Sequence, residues 1–318
     1  MKILVAPLNW GLGHASRSVA LVRRFLSEGH EVILGGDGES LTLLRRHFPQ
    51  LRYVNLAPLQ LRYSRSDRQV WAMVRALPGL VRWALKDHAM LQAVLREEAI
   101  DRVVSDNRFG LFSDQTECIY MTHQLHIFLP KGWRWAEPIA SRLHARVWRR
   151  FHEVWVPDYE DPSQALAGAM SHPVHLPLGP FPISYTGPLS RFEGYTPPAA
   201  CAPCYDVVAV LSGLEPQRSL LEQEIAAHYS GREETVLIVQ GLMHRPNTRI
   251  KRGRLTVVPY LGDQELAEAL TGAKHIIARS GYSTLMDLHA LGVSGSIELI
   301  PTPGQPEQQY LARLWCKK

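Results

Sequence analysis

Lysine is scarce in this chain. Only seven of its 35 basic residues are lysines and the other 28 are arginines. A guanidinium binds phosphate and carboxylate through a fixed fork, so the bias suits anionic ligands or surfaces; a GC-rich coding sequence would give the same bias. Cysteine is also rare, four in 318 residues. That excludes a disulfide framework and fits a reducing compartment. Cys201 and Cys204 form a CxxC inside "TPPAACAPCY", but no second pair follows, and a structural zinc would need two more ligands. Long apolar runs are missing too. No stretch approaches the ~20 residues of a spanning helix. The opening "MKILVAPLNWGLGH" breaks into glycines without the apolar core of a signal peptide. The expectation is a cytoplasmic protein. Internal repeats, low-complexity tracts and a cleft-placed DxD pair for a metal are absent as well.

What is present is globular, with 46% apolar and 20% charged residues, and the length suits two domains. "KILVAPL" reads as a buried parallel strand. A helical pattern over 15–32 stops at Gly29, and "EVILGG" is the next strand. Strand, glycine turn, helix and strand make a βαβ unit. Residues 52–58 form a third strand. Residues 68–98 read as helix broken at Pro78. "DRVVSDN" and "CIYMTHQL" follow as strands, then a helix over 136–152 and a strand at 153–158. Residues 172–204 are rich in proline and glycine. Beyond them the alternation restarts with "YDVVAVLSG", "PQRSLLEQEIAAHY", "ETVLIVQGL", "LTVVPYL", "DQELAEALTGA", "KHIIARSG", "STLMDLHALG" and "SIELIP". The expected organisation is therefore an α/β protein of two Rossmann-like domains, parallel sheets facing a cleft. The first covers 1–170, a linker 171–204 and the second 205–318.

Three turns have the chemistry of phosphate cradles. "GLGHAS" (11–16) imitates the dinucleotide fingerprint GxGxxG with Ser16 in third place, and Asp37 lies ~20 residues on. Asn9 and Trp10 intervene after the strand, which weakens that signal. Gly11 and Gly13 expose backbone amides at a helix N-terminus, and His14 sits in the turn where packing does not demand it. "LSGLEPQR" opens a second-domain helix, with Ser212, Gly213 and the charge of Arg218. "RSGYSTLMDL" is the third: Arg279, Ser280 and Gly281 make the turn, and Asp287 lies about one turn into the helix. Each has a plain structural alternative: a packing turn, a helix cap, or an acid favourable to the helix dipole.

The order RSG turn, helix with an acid, strand and "IPTPGQPEQQY" resembles the C-terminal domain of GT-B glycosyltransferases of family 28, the MurG-like N-acetylglucosaminyltransferases and their bacterial relatives. "GLGH" is similar to the family's N-terminal glycine loop. The likeness covers most of the chain, is most specific at 279–287 and 301–310, and is loose between 60 and 200. It implies that Asp287 binds the donor ribose and that Gln308 and Gln309 hold the donor sugar. It also implies that Ser280 and Gly281 face the diphosphate, and that backbone groups near Leu261 read the uracil. The donor would be a UDP-sugar and no metal would be required. Family members continue further beyond the glutamine pair, so the resemblance implies a truncated or diverged end.

On the acceptor side, Asp106, Asn107, Arg108 and His123 follow first-domain strands and would line the cleft wall. His14 is the expected general base, because an imidazole titrates near pH ~6.5, with Asp106 in reserve. Trp71, Trp83, Trp133, Trp135 and Trp148 alternate with basic residues, a composition fitting a peripheral membrane surface as well as an ordinary amphipathic helix. No nucleic-acid motif accompanies them. The leading expectation is an inverting transferase moving N-acetylglucosamine from UDP to a lipid- or glycan-linked acceptor. A GT-B UDP-sugar epimerase and an inactive binding protein are the alternatives.

Overall fold

The computed structural model describes residues 1–59, 69–173, 181–196, 205–213 and 215–316, with backbone alone for 69–74. The Cys201–Cys204 motif and the side chain of Trp71 lie outside the described residues. Two compact units form. The first holds Met1–Asn9 and His14–Leu189, the second Trp10–Gly13 and Ser190–Lys318.

The first unit is built on a seven-stranded sheet: β1 (Lys2–Pro7), β2 (Glu31–Gly36), β3 (Tyr53–Asn55), β4 (Arg102–Asp106), β5 (Glu117–Met121), β6 (Glu153–Val156) and β7 (Ile183–Tyr185). The order is β3-β2-β1-β4-β5-β6-β7, and every pairing is parallel. Buried parallel strands need apolar side chains on both faces. Ile3 to Ala6, Val103 and Val104, and Cys118 to Met121 supply them, all with no solvent exposure. Burial pushes the Cys118 thiol up to about 12, so it stays protonated and inert. Helices α1 (Gly13–Ser27), α2 (Gly38–His47), α3 (Gln69–Glu97) and α4 (Glu137–Trp148) complete the unit.

The expected break at Pro78 does not occur, and α3 runs through it for 29 residues. Its second half is held too firmly for one missing amide to end it. The Trp83 indole donates to Ala57 O at 2.9 Å, and Leu91 is fully buried. Asp87 accepts from both Nε and Nη2 of Arg108, at 2.9 and 2.7 Å. Gly110 is required where the next loop meets this helix, since a Cβ there would stand 2.1 Å from Ala84 O.

Arg108 corrects another expectation. It does not line an acceptor wall; its side chain is wholly buried and bonds Asp87, Asp37 (2.8 Å) and Ala57 O (2.7 Å). A guanidinium is buried only where carboxylates and carbonyls meet its donors. Asn107 is likewise structural. Its backbone is left-handed (φ 59) and its Oδ1 accepts from the Tyr120 hydroxyl at 2.8 Å. Asp37 is therefore used by Arg108 and by Asn9 Nδ2, at 3.0 Å, rather than left for a ribose.

The segment expected as linker is not a plain connector. Its residues Ile183–Tyr185 form β7, the sheet's edge strand, and the division between units falls after Leu189. Proline and glycine suit an edge, where half the backbone groups need no partner strand.

The second unit carries β8 (Val207–Val210), β9 (Val236–Val239), β10 (Ile250–Arg252), β11 (Leu255–Val258), β12 (His275–Ala278) and β13 (Ser296–Leu299). Their order is β10-β11-β9-β8-β12-β13, parallel except for the edge strand β10. Around the sheet lie α5 (Gln217–His228), α6 (Asp263–Thr271), α7 (Tyr282–Leu291) and α8 (Pro306–Trp315). In each unit the strand order reverses direction once, between β1 and β4 and between β8 and β12. Loops at the carboxyl ends of those strands are where such sheets bind ligands.

The Arg108 network yields a direct test. Arg108→Met should lower unfolding free energy by about 3–5 kcal/mol, because two buried carboxylates lose their cation. Urea unfolding at neutral pH measures it; a loss under about 1 kcal/mol would contradict the assignment.

Candidate active site

At the first switch point the strand ends bring four titratable side chains together. Pro7 of β1 pairs with Asp106 of β4, and Asp106 in turn with Met121 of β5. The chain leaves β1 through a turn in which Gly11 is left-handed (φ 78), then starts α1 at Gly13. His14 and Arg17 are three residues apart on that helix and so share a face. His14 Nδ1 lies 2.9 Å from Asp106 Oδ1. Arg17 grips the same carboxylate by its fork, Nε to Oδ2 at 2.6 Å and Nη2 to Oδ1. Arg17 Nη2 is 2.8 Å from His14 Nδ1, and Nη1 is 3.2 Å from Nδ1 of His123.

Arg17 and Asp106 are buried, while the His14 side chain keeps 17% exposure. Burial alone would raise the Asp106 pKa. The Arg17 guanidinium and the His14 ring override it and hold the carboxyl down to about 2. Asp106 is thus an anion at neutral pH, without solvent exposure. It can orient His14, but it has no path to an acceptor as the reserve base. The partly exposed His14 is the group able to exchange a proton with a bound molecule. Arg17 was missed from the sequence. Its signal is the i, i+3 spacing of His and Arg in the first turn of a helix after a glycine loop.

At the second switch point the loops after β8 and β12 carry the expected donor residues. Ser212 and Gly213 (φ 95) follow β8; the next residue, 214, lies outside the described residues. Gly281 is the N-cap of α7 and, having no side chain, supplies no capping hydrogen bond. The Ser280 hydroxyl donates to Gln308 O at 2.8 Å, and the Gln308 Oε1 accepts from the Thr302 amide at 2.8 Å. These bonds fix the Gln308–Gln309 pair, at the start of α8, beside the loop after β12. Gln309 is exposed.

Other members of the expected set are engaged within the protein. Asp287 accepts from Ser190 Oγ at 2.7 Å and pairs with Arg191 Nε at 3.4 Å. Arg218 is spent on Glu215 and on Glu222, the latter at 3.0 Å. Arg279 is buried and donates to Gln217 O at 2.8 Å and Pro301 O at 3.2 Å. Desolvation draws its pKa down. The Leu261 side chain packs in the unit's core with Val258 and Leu266. No cluster of three or more His, Cys, Asp or Glu side chains suited to a metal occurs among the described residues.

The tryptophans divide. Trp83 and Trp148 are core residues, whereas Trp133 and Trp135 stack on a short 3₁₀ segment (Lys131–Ala136), with Trp135 69% exposed. Leu77, Val81 and Leu85 form an exposed stripe on α3, and Ile139 and Leu143 continue from Trp135 along α4. Among the described residues no helix is long and apolar enough to cross a membrane.

Asp106 contributes a pH-dependent stability with a definite sign. Its carboxyl is more acidic folded than unfolded, so its stabilisation is full above about pH 4 and is lost as pH falls towards about 2. In urea titrations the wild type should lose stability across that window, and Asp106→Asn should lack this component. An identical acid slope in the variant would count against the ion pair.

No protein-family profile matches the chain. A curated "Uncharacterized glycosyltransferase" of Methanosarcina acetivorans is 50% identical over 46 residues, 14% of this chain and 12% of the relative's length. The chain thus matches about an eighth of that relative. Solved structures match along nearly the whole chain. The spinosyn rhamnosyltransferase SpnG superposes with a TM-score of 0.60 at 16% identity, covering 100% of this chain and 84% of SpnG. MurG of Acinetobacter baumannii gives 0.52 at 13%, covering 99% and 83%. SnogD of Streptomyces nogalater gives 0.55 at 17%, covering 99% and 85%. These identities speak to architecture: the two parallel-sheet α/β units have the GT-B fold.

Proposed function

We propose that the chain is a glycosyltransferase. It would move a hexosyl group, N-acetylglucosamine first among candidates, from a UDP-sugar to a lipid- or glycan-linked acceptor with inversion. The observation that carries this reading is the His14–Asp106 pair at a GT-B switch point, with His14 the exposed member. Further support comes from the described activities of the structural neighbours. One of them, SpnG, was also solved with thymidine diphosphate. In the reaction, His14 Nε2 takes the acceptor hydroxyl's proton as that oxygen attacks the anomeric carbon. The C–O bond to the diphosphate breaks and UDP leaves with the electron pair.

The donor belongs to the second unit. The N-terminus of α7 would turn its positive dipole end to the diphosphate, so the reading needs no metal. Asp287 would exchange Ser190 for ribose hydroxyls, and the exposed Gln309 would offer an amide to the sugar. The exposed apolar stripes of α3 and α4, flanked by Arg75, Arg82, Lys86, Arg142 and Arg146, favour a peripheral site on an anionic membrane, where a lipid-linked acceptor would lie.

Product analysis with UDP-sugars in EDTA tests the reading. Transferred sugar plus UDP supports it, a UDP-linked epimer indicates an epimerase, and no product with intact binding indicates a binding protein. With an active pair, His14→Ala should lower kcat about 10²–10⁴-fold with donor binding nearly intact. Asp287→Ala should weaken UDP about tenfold or more in calorimetry. Full kcat in the first variant would remove His14 as base. Binding to anionic vesicles should weaken with salt, and equal binding to neutral vesicles would refute the charge component.

A further inference from the structure

His14 Nδ1 has two neighbours that ask opposite things of it. Asp106 Oδ1, at 2.9 Å, can only accept, so it needs a proton on Nδ1. Arg17 Nη2, at 2.8 Å, can only donate, so it needs a lone pair there. One ring nitrogen cannot do both. The hydrogen count separates the two states. Asp106 already receives Arg17 Nε on Oδ2 and Arg17 Nη2 on Oδ1, so both oxygens are satisfied without the imidazole. The second Nη2 hydrogen of Arg17 is met by His14 Nδ1, and a hydrogen of Nη1 by His123 Nδ1. Accepting at Nδ1 therefore gives both Nη2 hydrogens of Arg17 an acceptor while both carboxylate oxygens stay met. Donating from Nδ1 would leave the second Nη2 hydrogen of Arg17 without its acceptor and set two N–H groups against each other in a buried site.

We propose that Arg17 is a positioning residue that sets the tautomer of His14, holding the neutral ring's proton on Nε2 at rest. This rests on the reading of His14 as the base. A base needs the Nε2 lone pair, so the resting ring is a donor and becomes a base only when Asp106 takes over Nδ1. That exchange moves one proton from Nε2 to solvent and one from solvent to Nδ1, and it requires Arg17 Nη2 to withdraw. The catalytic histidine is then under the control of a residue that touches neither substrate.

The experiment uses the full chain labelled with ¹⁵N in the histidine rings, at a pH where His14 is neutral, with His14→Gln to assign its signals. Long-range ¹H–¹⁵N spectra distinguish the two tautomers. The wild type should show His14 protonated on Nε2. Arg17→Lys keeps a cation beside Asp106 but loses the fixed fork, and should move the proton to Nδ1. Asp106→Asn should keep the wild-type pattern, because Arg17 still donates. A wild type protonated on Nδ1 overturns the proposal, as does an Arg17→Lys protein of native circular dichroism with an unchanged pattern. If that variant does not fold, the wild-type and Asp106→Asn spectra still decide, since Nδ1 protonation in either contradicts it. The tautomer is read without any sugar transfer, so loss of the transferase reading leaves this result standing, and the reverse also holds.

Discussion

A buried charge must be met by an opposite one or by directed dipoles, and the end of β4 faces that requirement twice. Asp106 and Arg108 stand two residues apart and both are removed from water. The left-handed turn at Asn107 parts them, so that each side chain enters its own network. Asp106 meets Arg17 and His14 of α1. Arg108 meets Asp37 beyond β2, the loop after β3, and Asp87 of α3. One strand end therefore locks two other strand ends and two helices, at the cost of desolvating five ionised groups. Breaking either pair leaves a charge without compensation, which makes the arrangement intolerant of partial loss.

The same constraint separates a scaffold network from a working one. Around Arg108 every donor ends on a carboxylate or carbonyl, and its three charged members are all buried. Around Arg17 one member, His14, remains partly exposed, and its ring nitrogen is contested by a donor and an acceptor. Satisfied networks hold a fold, and a network with an unsettled proton and an exposed edge is where proton transfer can occur.

In the second unit the logic is one of reserved groups. Asp287 is engaged by residues at the very start of that unit, Ser190 and Arg191, while the helix it sits on presents an uncapped N-terminus. A ligand that took the acid would compete with those two residues for it.

The sequence by itself determined the α/β alternation, the two-unit organisation and the glycine turns. Buried parallel strands read as short apolar runs, and the turns are local consequences of residue type. It also placed His14, since a histidine in a glycine turn before a helix needs no partner to be noticed. The continuity of α3 through Pro78, the burial of Arg108 and the attachment of 183–185 to the first sheet were decided only by tertiary structure. Each depends on residues distant in the chain: Ala57 and Arg108 for the first, Asp37 and Asp87 for the second, β6 for the third. The role of Asp106 belongs to the same class. As a letter it is an acid after a strand, able to serve as base or as orienter. The Arg17 fork, 89 residues away in the chain, fixes it as an anion, because the charge state of a buried group is set by its neighbours in space and not by its neighbours in sequence.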